Sequence, residues 1–152
     1  MIEQLRINPA RLLGTIESIA SIGRKPDGSC CLLALTDEDR AARDLIVSLM
    51  RDAGMIVHVD GIGNITVVRL GLEDVAPVKS GWHIDTVATG GQFDGLYGVV
   101  SGLEVVRTLV EQGITTRRPL ALTVFTNEEG ARFQPDMMGS LVYAGGLSVE
   151  AA

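Results

Sequence analysis

The chain has 152 residues and a net charge of −6, and apolar residues make up 46% of it. This length suits one domain that buries roughly two-thirds of the surface of its unfolded chain. The acidic balance argues against a nucleic-acid-binding protein, because no stripe of lysine and arginine is available to contact phosphates.

The sequence also lacks features of membrane and secreted proteins. No apolar run approaches the ~20 residues of a membrane-spanning helix, and the N-terminal sequence does not follow the pattern of a signal peptide. The adjacent cysteines Cys30 and Cys31 could be joined only through a strained ring. We therefore expect a reduced, cytoplasmic compartment, with buried, inert cysteines favoured over a reactive thiol.

The first half of the sequence predicts two helices and a hairpin. Asn8 and Thr36 are suitable N-caps for helices over 9–23 and 37–54, where apolar residues recur at helical spacing. Two strand-like runs follow and flank the sequence Gly-Ile-Gly-Asn, as in a β-hairpin. His58 lies in the first of these runs and is predicted to be a half-exposed strand residue, with a metal-ligand role as the minor alternative.

The second half predicts strand, helix and strand. A strand ending near Ile84 leads into a glycine-rich connection, and 99–112 has the apolar spacing of a buried helix. The run from Leu120 to Thr126 is apolar and β-branched, which is typical of a strand covered on both faces. This order predicts an α/β fold with a mixed sheet flanked by helices.

Two clusters of potential ligands lie where these two strands end. His83 stands at the end of the first strand with Asp85 and Asp94 after it, and Glu128 and Glu129 follow the second. Because one crossover helix joins the strands, both clusters should meet at the same edge of the sheet. Imidazole and carboxylate groups are good ligands for zinc-like metals, so the pattern predicts a metal site.

An alternative interpretation needs no metal. The first cluster could be a solvated loop with a His-x-Asp hydrogen bond. In the second, Asn127 could cap a following helix whose dipole stabilises Glu128 and Glu129. Glutamates at the covered end of a buried strand are costly unless they are compensated, and this favours the metal site.

Several segments together resemble a known enzyme family. In chain order they are LALTDEDRAARDL, GIGN, GWHIDTVATGGQFDG, RRPLALTVFTNEEGARF and MMGS. This set is similar to the N-terminal part of the zinc-dependent amidohydrolases that include N-carbamoyl-L-amino-acid hydrolases, β-ureidopropionases and allantoate amidohydrolases, within the aminoacylase and carboxypeptidase superfamily. The resemblance runs from about Leu33 onward and implies part of a zinc-exopeptidase-like catalytic domain.

The resemblance also implies roles for the clustered residues. His83 corresponds to a ligand of one metal, Asp94 to the carboxylate that bridges two metals, and Glu129 to a ligand of the second metal. Glu128 corresponds to the general base, and Asp85 to the residue that orients the histidine. The implied cofactors are two divalent ions, zinc, manganese or cobalt, and the implied substrate is an N-carbamoyl-L-amino acid or a related ureido compound.

Two departures from the family pattern bear on activity. Trp82 stands where the family has a small residue, so the indole either faces the core or crowds the site. Family members are also several hundred residues long, and their later segments supply two more metal ligands and a lid and dimerisation domain. We therefore expect residues 1–152 to form a single, partial catalytic domain that holds metal weakly and shows little turnover alone.

Three other functions remain open from the sequence. The chain could be a related metal-dependent aminoacylase or peptidase, or a metal-independent hydrolase that uses Cys30 or a serine with His83 and Asp85. It could also be a non-catalytic fragment that acts as an interaction or folding unit. Such a fragment would self-associate through exposed strand edges.

Overall fold

A computed structural model describes residues 5–152, which fold into four α-helices and one four-stranded sheet. In chain order the elements are α1 (Pro9–Ala20), α2 (Asp37–Asp52), β1 (Ile56–Val59), β2 (Ile65–Arg69), β3 (Val78–His83), α3 (Leu96–Glu111), β4 (Leu120–Phe125) and α4 (Met138–Tyr143). Short 3-10 helices cover Ser21–Gly23 and Val149–Ala151. Within the described part of the chain, no helix is both long enough and apolar enough to cross a membrane.

The sheet has the strand order β1-β2-β4-β3. The β1–β2 and β2–β4 pairs are antiparallel and the β3–β4 pair is parallel, which confirms both the predicted hairpin and the mixed sheet. Val78 pairs with Leu120 and His83 pairs with Phe125, so β3 and β4 run in step and end side by side. The loops that follow these two strands therefore start at the same edge.

The helix starts follow the local sequence. The side chains of Asn8 and Thr36 accept hydrogen bonds from Arg11 N and Asp39 N, at 3.0 and 3.2 Å, and so satisfy N–H groups that have no partner within the helix. Both predicted caps are confirmed. The helix expected over 99–112 starts earlier, at Leu96, directly after the glycine-rich connection.

The core lies between the helices and one face of the sheet. Its largest fully buried apolar side chains come from α1, α2, α3, β2 and the segments before α2 and after β3: Ile16, Ile19, Leu32, Ile46, Met50, Val67, Ile84, Val99, Val100 and Leu103. Residues 121–124 of β4 are all buried, as predicted for a strand covered on both faces. The central strand is thus the most firmly held element, and the site is built at its end.

Strand β3 forms an edge of the sheet, and its residues are more exposed to solvent than those of its parallel neighbour β4. It pairs with β4 alone within the described residues, and Val78 and Trp82 are each 52% exposed. The alternation of a strand places Trp82 on the opposite face from His83, and the two ring centroids lie 6.1 Å apart. The indole therefore neither faces the core nor fills the site.

Candidate metal and catalytic site

His83 is the last residue of β3 and is almost completely buried. Its Nδ1 lies 2.9 Å from the backbone oxygen of Asp85. A carbonyl oxygen can only accept, so Nδ1 carries the hydrogen and Nε2 of the neutral ring presents a lone pair. The imidazole is therefore fixed in the tautomer that a metal ligand or a proton acceptor needs.

Gly95 allows the following loop to lie directly against this ring. It has a φ of +64°, and a Cβ at this position would lie 2.5 Å from both Cε1 and Nδ1 of His83. Only glycine fits at this distance, because real Cβ atoms do not approach other atoms so closely. The close approach brings the segment that carries the exposed Asp94, one residue earlier, to the same end of β3.

Asp85 ties the two strand-end loops together. Its buried carboxylate accepts hydrogen bonds from the backbone N–H groups of Glu128 and Glu129, each at 3.2 Å. Its Oδ1 lies 3.9 Å from His83 Nδ1, farther than the Asp85 carbonyl. Asp85 thus contacts the imidazole through its backbone. Its side chain holds the loop after β4 that carries Glu128 and Glu129, here called the acidic loop, and this contact was not predicted from the sequence.

Glu128 reaches the free nitrogen of the histidine. Its Oε2 lies 3.3 Å from His83 Nε2, and the glutamate side chain is 20% exposed. A lone pair on Nε2 and a carboxylate oxygen are both acceptors, so a proton or a metal cation between them would make this contact favourable. The structure therefore brings a histidine and a solvent-accessible carboxylate together at the predicted edge.

Glu129 is partly buried and lies near other ionisable groups of both predicted clusters. Burial raises the pKa of Glu129, and the carboxylates of Asp94, Glu128 and Asp85 raise it as well, against an opposing effect of His83. These influences show that both predicted clusters lie within electrostatic reach of each other. A cation bound among these carboxylates would relieve their mutual repulsion.

The donor types at this edge suit a zinc-like ion, although the side chains are not assembled around one point. Among residues 5–152, no three His, Cys, Asp or Glu side chains are grouped so that they could hold a metal ion directly. One imidazole nitrogen and several carboxylates nevertheless form a donor set that fits such an ion in its chemistry. The ligand roles of His83, Asp94 and Glu129 therefore remain predictions.

The alternative based on a helix cap at Asn127 is wrong. This residue has a φ of +52°, and its side-chain amide donates to the backbone oxygens of Phe133 and Pro135. The next helix, α4, begins only at Met138. Glu128 and Glu129 therefore lie in a loop and not in the first turn of a helix.

The remaining candidate residues lie apart from the edge of the sheet where β3 and β4 end, here called the acidic edge, or lack the chemistry that a site there would need. Burial raises the pKa of the Cys30 thiol, and its Sγ contacts Ala20 O at 3.5 Å, so the thiol is not activated as a nucleophile. His58 is exposed on β1, which two strands separate from β3. His58 was predicted to be a half-exposed strand residue; its place in a strand is confirmed, and it is more exposed than predicted.

Sequence analysis did not single out Asn64 as a functional residue. It treated this asparagine as part of the hairpin turn, whereas the side chain is buried and contacts Thr126, immediately before the acidic loop. The available signal was the motif Gly-Ile-Gly-Asn, which was among the segments shared with the amidohydrolases.

Comparison with known proteins supports the same resemblance. No family model matches the chain. An N-carbamoyl-L-amino-acid amidohydrolase of Rhizobium meliloti is 44% identical over 151 residues, which is 99% of this chain and 36% of the relative. A ureidoglycolate hydrolase of Arabidopsis thaliana is 34% identical over 142 residues, 93% of this chain and 30% of that protein.

A solved structure agrees in fold over the same range. The crystal structure of a hydantoinase/carbamoylase family amidase from Burkholderia ambifaria superposes with a TM-score of 0.94 and 51% identity, covering 96% of this chain and 36% of that one. Fold and site thus place the chain among hydrolases by resemblance. More narrowly, it matches the N-terminal part of the hydantoinase/carbamoylase amidases and spans about a third of the length of the relatives it matches.

Proposed function

We propose that this chain is the site-bearing part of a metal-dependent amidohydrolase that cleaves the carbamoyl C–N bond of N-carbamoyl-L-amino acids. The observation that carries the proposal is the 3.3 Å approach of His83 Nε2 and Glu128 Oε2 where β3 and β4 end. The substrate class follows the name of the Rhizobium meliloti relative.

The proposed cofactor is two divalent ions, and zinc, manganese and cobalt suit the donor types present. His83 and Glu129 would each bind one ion and Asp94 would bridge both, since imidazole and carboxylate are the ligands that these metals share. Ions held there supply a water of lowered pKa and a polarised carbonyl group. The raised pKa of Glu129 comes first from burial, and the nearby carboxylates of Asp94, Glu128 and Asp85 add to it; a cation would offset this carboxylate contribution.

Glu128 would act as the general base. Its partly exposed carboxylate takes a proton from the attacking water as the oxygen bonds to the carbamoyl carbon, and then gives it to the leaving nitrogen as the C–N bond breaks. With one water consumed, this step releases the free amino acid and carbamic acid, whose remaining C–N bond then breaks to give ammonia and carbon dioxide. Asp85 serves this step by fixing the backbone of the glutamate it holds.

Ureidoglycolate is the second candidate substrate. The Arabidopsis thaliana relative named for it is 34% identical, against 44% for the N-carbamoyl-L-amino-acid relative. Both compounds present a carbamoyl group on a nitrogen atom, so the same base and metals suit both. Hydrolysis rates on the two substrates, measured side by side, decide between them.

Catalysis would require the additional length that the relatives possess. The chain covers 36% of the amidohydrolase relative, and we propose that it holds metal weakly and turns over little substrate alone. The open edge of β3, with Val78 and Trp82 half exposed, would favour self-association of the isolated chain. Sedimentation would show this as a mass that rises with concentration.

The metal assignment is tested by equilibrium dialysis of the chain against zinc. Asp94→Ala should lower bound zinc more than His83→Ala, because a bridging ligand serves both ions and His83 only one. Each loss should reach about tenfold or more in affinity, since even the partners behind metal ligands are worth this much.

His58→Ala is the matched control, because it removes the only other histidine from an exposed position on β1. It should bind zinc like the wild type. Equal zinc-to-protein ratios in wild type and Asp94→Ala would contradict the assignment.

A further inference from the structure

Asn64 closes the β1–β2 turn and is 1% exposed. Its Oδ1 accepts a hydrogen bond from Thr126 N at 3.0 Å. Its Nδ2 donates to Asp60 Oδ2 and to Gly139 O, both at 2.9 Å. These partners fix the orientation of the amide, because the Thr126 N–H only donates and the other two oxygens accept. One buried side chain thus joins three separate segments.

The segments that meet at Asn64 lead directly into the acidic loop. Thr126 O accepts from Gly139 N at 2.9 Å, and the next two carbonyls, of Asn127 and Glu128, accept from Met138 N and Met137 N. The backbone of residues 126–128 is therefore paired with the backbone of residues 137–139 by three hydrogen bonds. Asn64 binds both residues of the first pair, Thr126 through its N–H and Gly139 through its carbonyl.

Gly139 makes the close contact possible. A Cβ on this residue would lie 2.2 Å from Asn64 Oδ1 and 2.5 Å from Thr126 N. No side chain fits between the amide and the end of β4, so this packing depends on glycine at 139. An aspartate in place of Asn64 would keep the size but present an acceptor to two acceptors, and a smaller residue would leave buried groups unpaired.

We propose that Asn64 is a positioning residue for Glu128 and Glu129. It fixes the point at which the acidic loop leaves β4, while Asp85 fixes the loop two residues later through the N–H groups of both glutamates. The proposal rests on the proposed function, which gives these glutamates their chemical roles. Two anchors on a short loop leave little freedom for the carboxylates, as a preorganised site requires.

The test measures amide hydrogen exchange by NMR in the metal-free chain. Asn64→Asp should lower the protection of the Glu128 and Glu129 amides by about tenfold or more, because buried partners lose their hydrogen bonds. Amides of the central strand, such as Val124, should change less, since they report global unfolding. A merely structural role would lower all of these amides together.

Two further variants sharpen this result. Asp60→Asn/Asn64→Asp returns a donor to the side-chain pair and should recover part of the protection at the glutamates. Asn8→Asp makes the same chemical change at an exposed helix cap, where aspartate is an equally good cap, and should have no effect on the loop. If Asn64→Asp does not fold, Asn64→Ser breaks the same bonds without adding charge.

Unchanged exchange at Glu128 and Glu129 in a folded Asn64 variant, or equal losses at Val124, would overturn the proposal. Zinc dialysis gives the second readout, in which Asn64→Asp should weaken binding by about tenfold to a hundredfold relative to Asn8→Asp. Because the exchange experiment contains no metal, a wild type that binds no zinc would refute the proposed function alone. A loss of zinc binding without local exchange changes would refute the positioning role alone.

Discussion

Two regions of this molecule shield a glutamate from solvent, fully at Glu104 and partly at Glu129, and the pKa of the carboxyl group shifts in opposite directions. Glu104 on α3 is 1% exposed and accepts hydrogen bonds from Arg11 Nε and Nη2, both at 2.8 Å, and from Asn8 N at 2.9 Å. Burial acts to raise the pKa of Glu104, but these partners outweigh it and the pKa is lowered. The carboxylate is compensated within the chain and joins α1 to α3.

At Glu129, in the acidic edge, the opposing effect of His83 does not outweigh burial and the neighbouring carboxylates. Burial raises the pKa of its carboxyl group, and the neighbouring carboxylates raise it further. Glu104 is paired with an arginine, whereas the groups that raise the pKa of Glu129 at this edge include three further carboxylates. The contrast indicates that Glu104 serves stability, and it supports the proposal that the acidic edge binds a cation.

The largest effect is expected on catalysis at Glu128. In a chimera that joins this chain to the remaining segments of the Rhizobium meliloti relative, Glu128→Gln should lower kcat by about 10²–10⁴-fold, the usual contribution of a general base. Bound zinc and the urea midpoint should stay near the wild-type values. A loss of only a few-fold would show that Glu128 is not the base.

The second effect is expected on stability at Glu104. Glu104→Gln should lower the free energy of unfolding by about 2 kcal/mol, because charged hydrogen bonds to Arg11 are lost inside the protein. Zinc binding should not change. The control is Glu111→Gln, which removes a 52%-exposed partner of the same arginine and should cost about 0.5 kcal/mol or less in urea denaturation. Equal costs would remove the contrast between buried and exposed partners.

The smallest expected effect is on stability at Glu129, and its pH dependence should differ from that at Glu104. The raised pKa of Glu129 means that its contribution to stability is fully present below its ordinary pKa of 4.5 and is lost as pH rises through the folded-state value. Glu129→Gln should therefore stabilise the metal-free chain at pH 7, by under about 1 kcal/mol, and the gain should vanish near pH 4.

Glu104 should show the reverse dependence. Its lowered pKa contributes stability above the ordinary value of 4.5, and this contribution is lost as pH falls through the folded-state value. The cost of Glu104→Gln should thus be largest at neutral pH and shrink in acid. The urea midpoints of both variants, measured relative to the wild type at pH 4 and pH 7, test these opposite dependences. If the two variants changed stability with pH in the same direction, the two glutamates would not have opposite electrostatic roles.

Much of the fold could be predicted because local signals agreed with one another. The caps at Asn8 and Thr36, the apolar periodicity of the helices and the uniform apolar run of β4 each fixed an element. The order strand, helix, strand then required β3 and β4 to end at one edge, which brought His83 and Glu128 together.

The contacts that the sequence did not reveal are those made through backbone groups. Asp85 was expected to orient the imidazole, but its carboxylate binds the N–H groups of two residues more than forty positions away. Asn64 likewise binds a backbone N–H and a backbone carbonyl. Every residue carries these backbone groups, so side-chain patterns cannot indicate which of them a buried polar group will reach.

The way in which Asp85 holds the acidic loop has a consequence for how this site could change over evolutionary time. Because its carboxylate binds main-chain N–H groups, the attachment does not depend on which side chains stand at 128 and 129. A substitution at either position alters the chemistry but leaves the anchoring in place. New reactivities could therefore be sampled at these two positions on an unchanged scaffold, with little of the loss of fold that usually accompanies changes in a buried polar network.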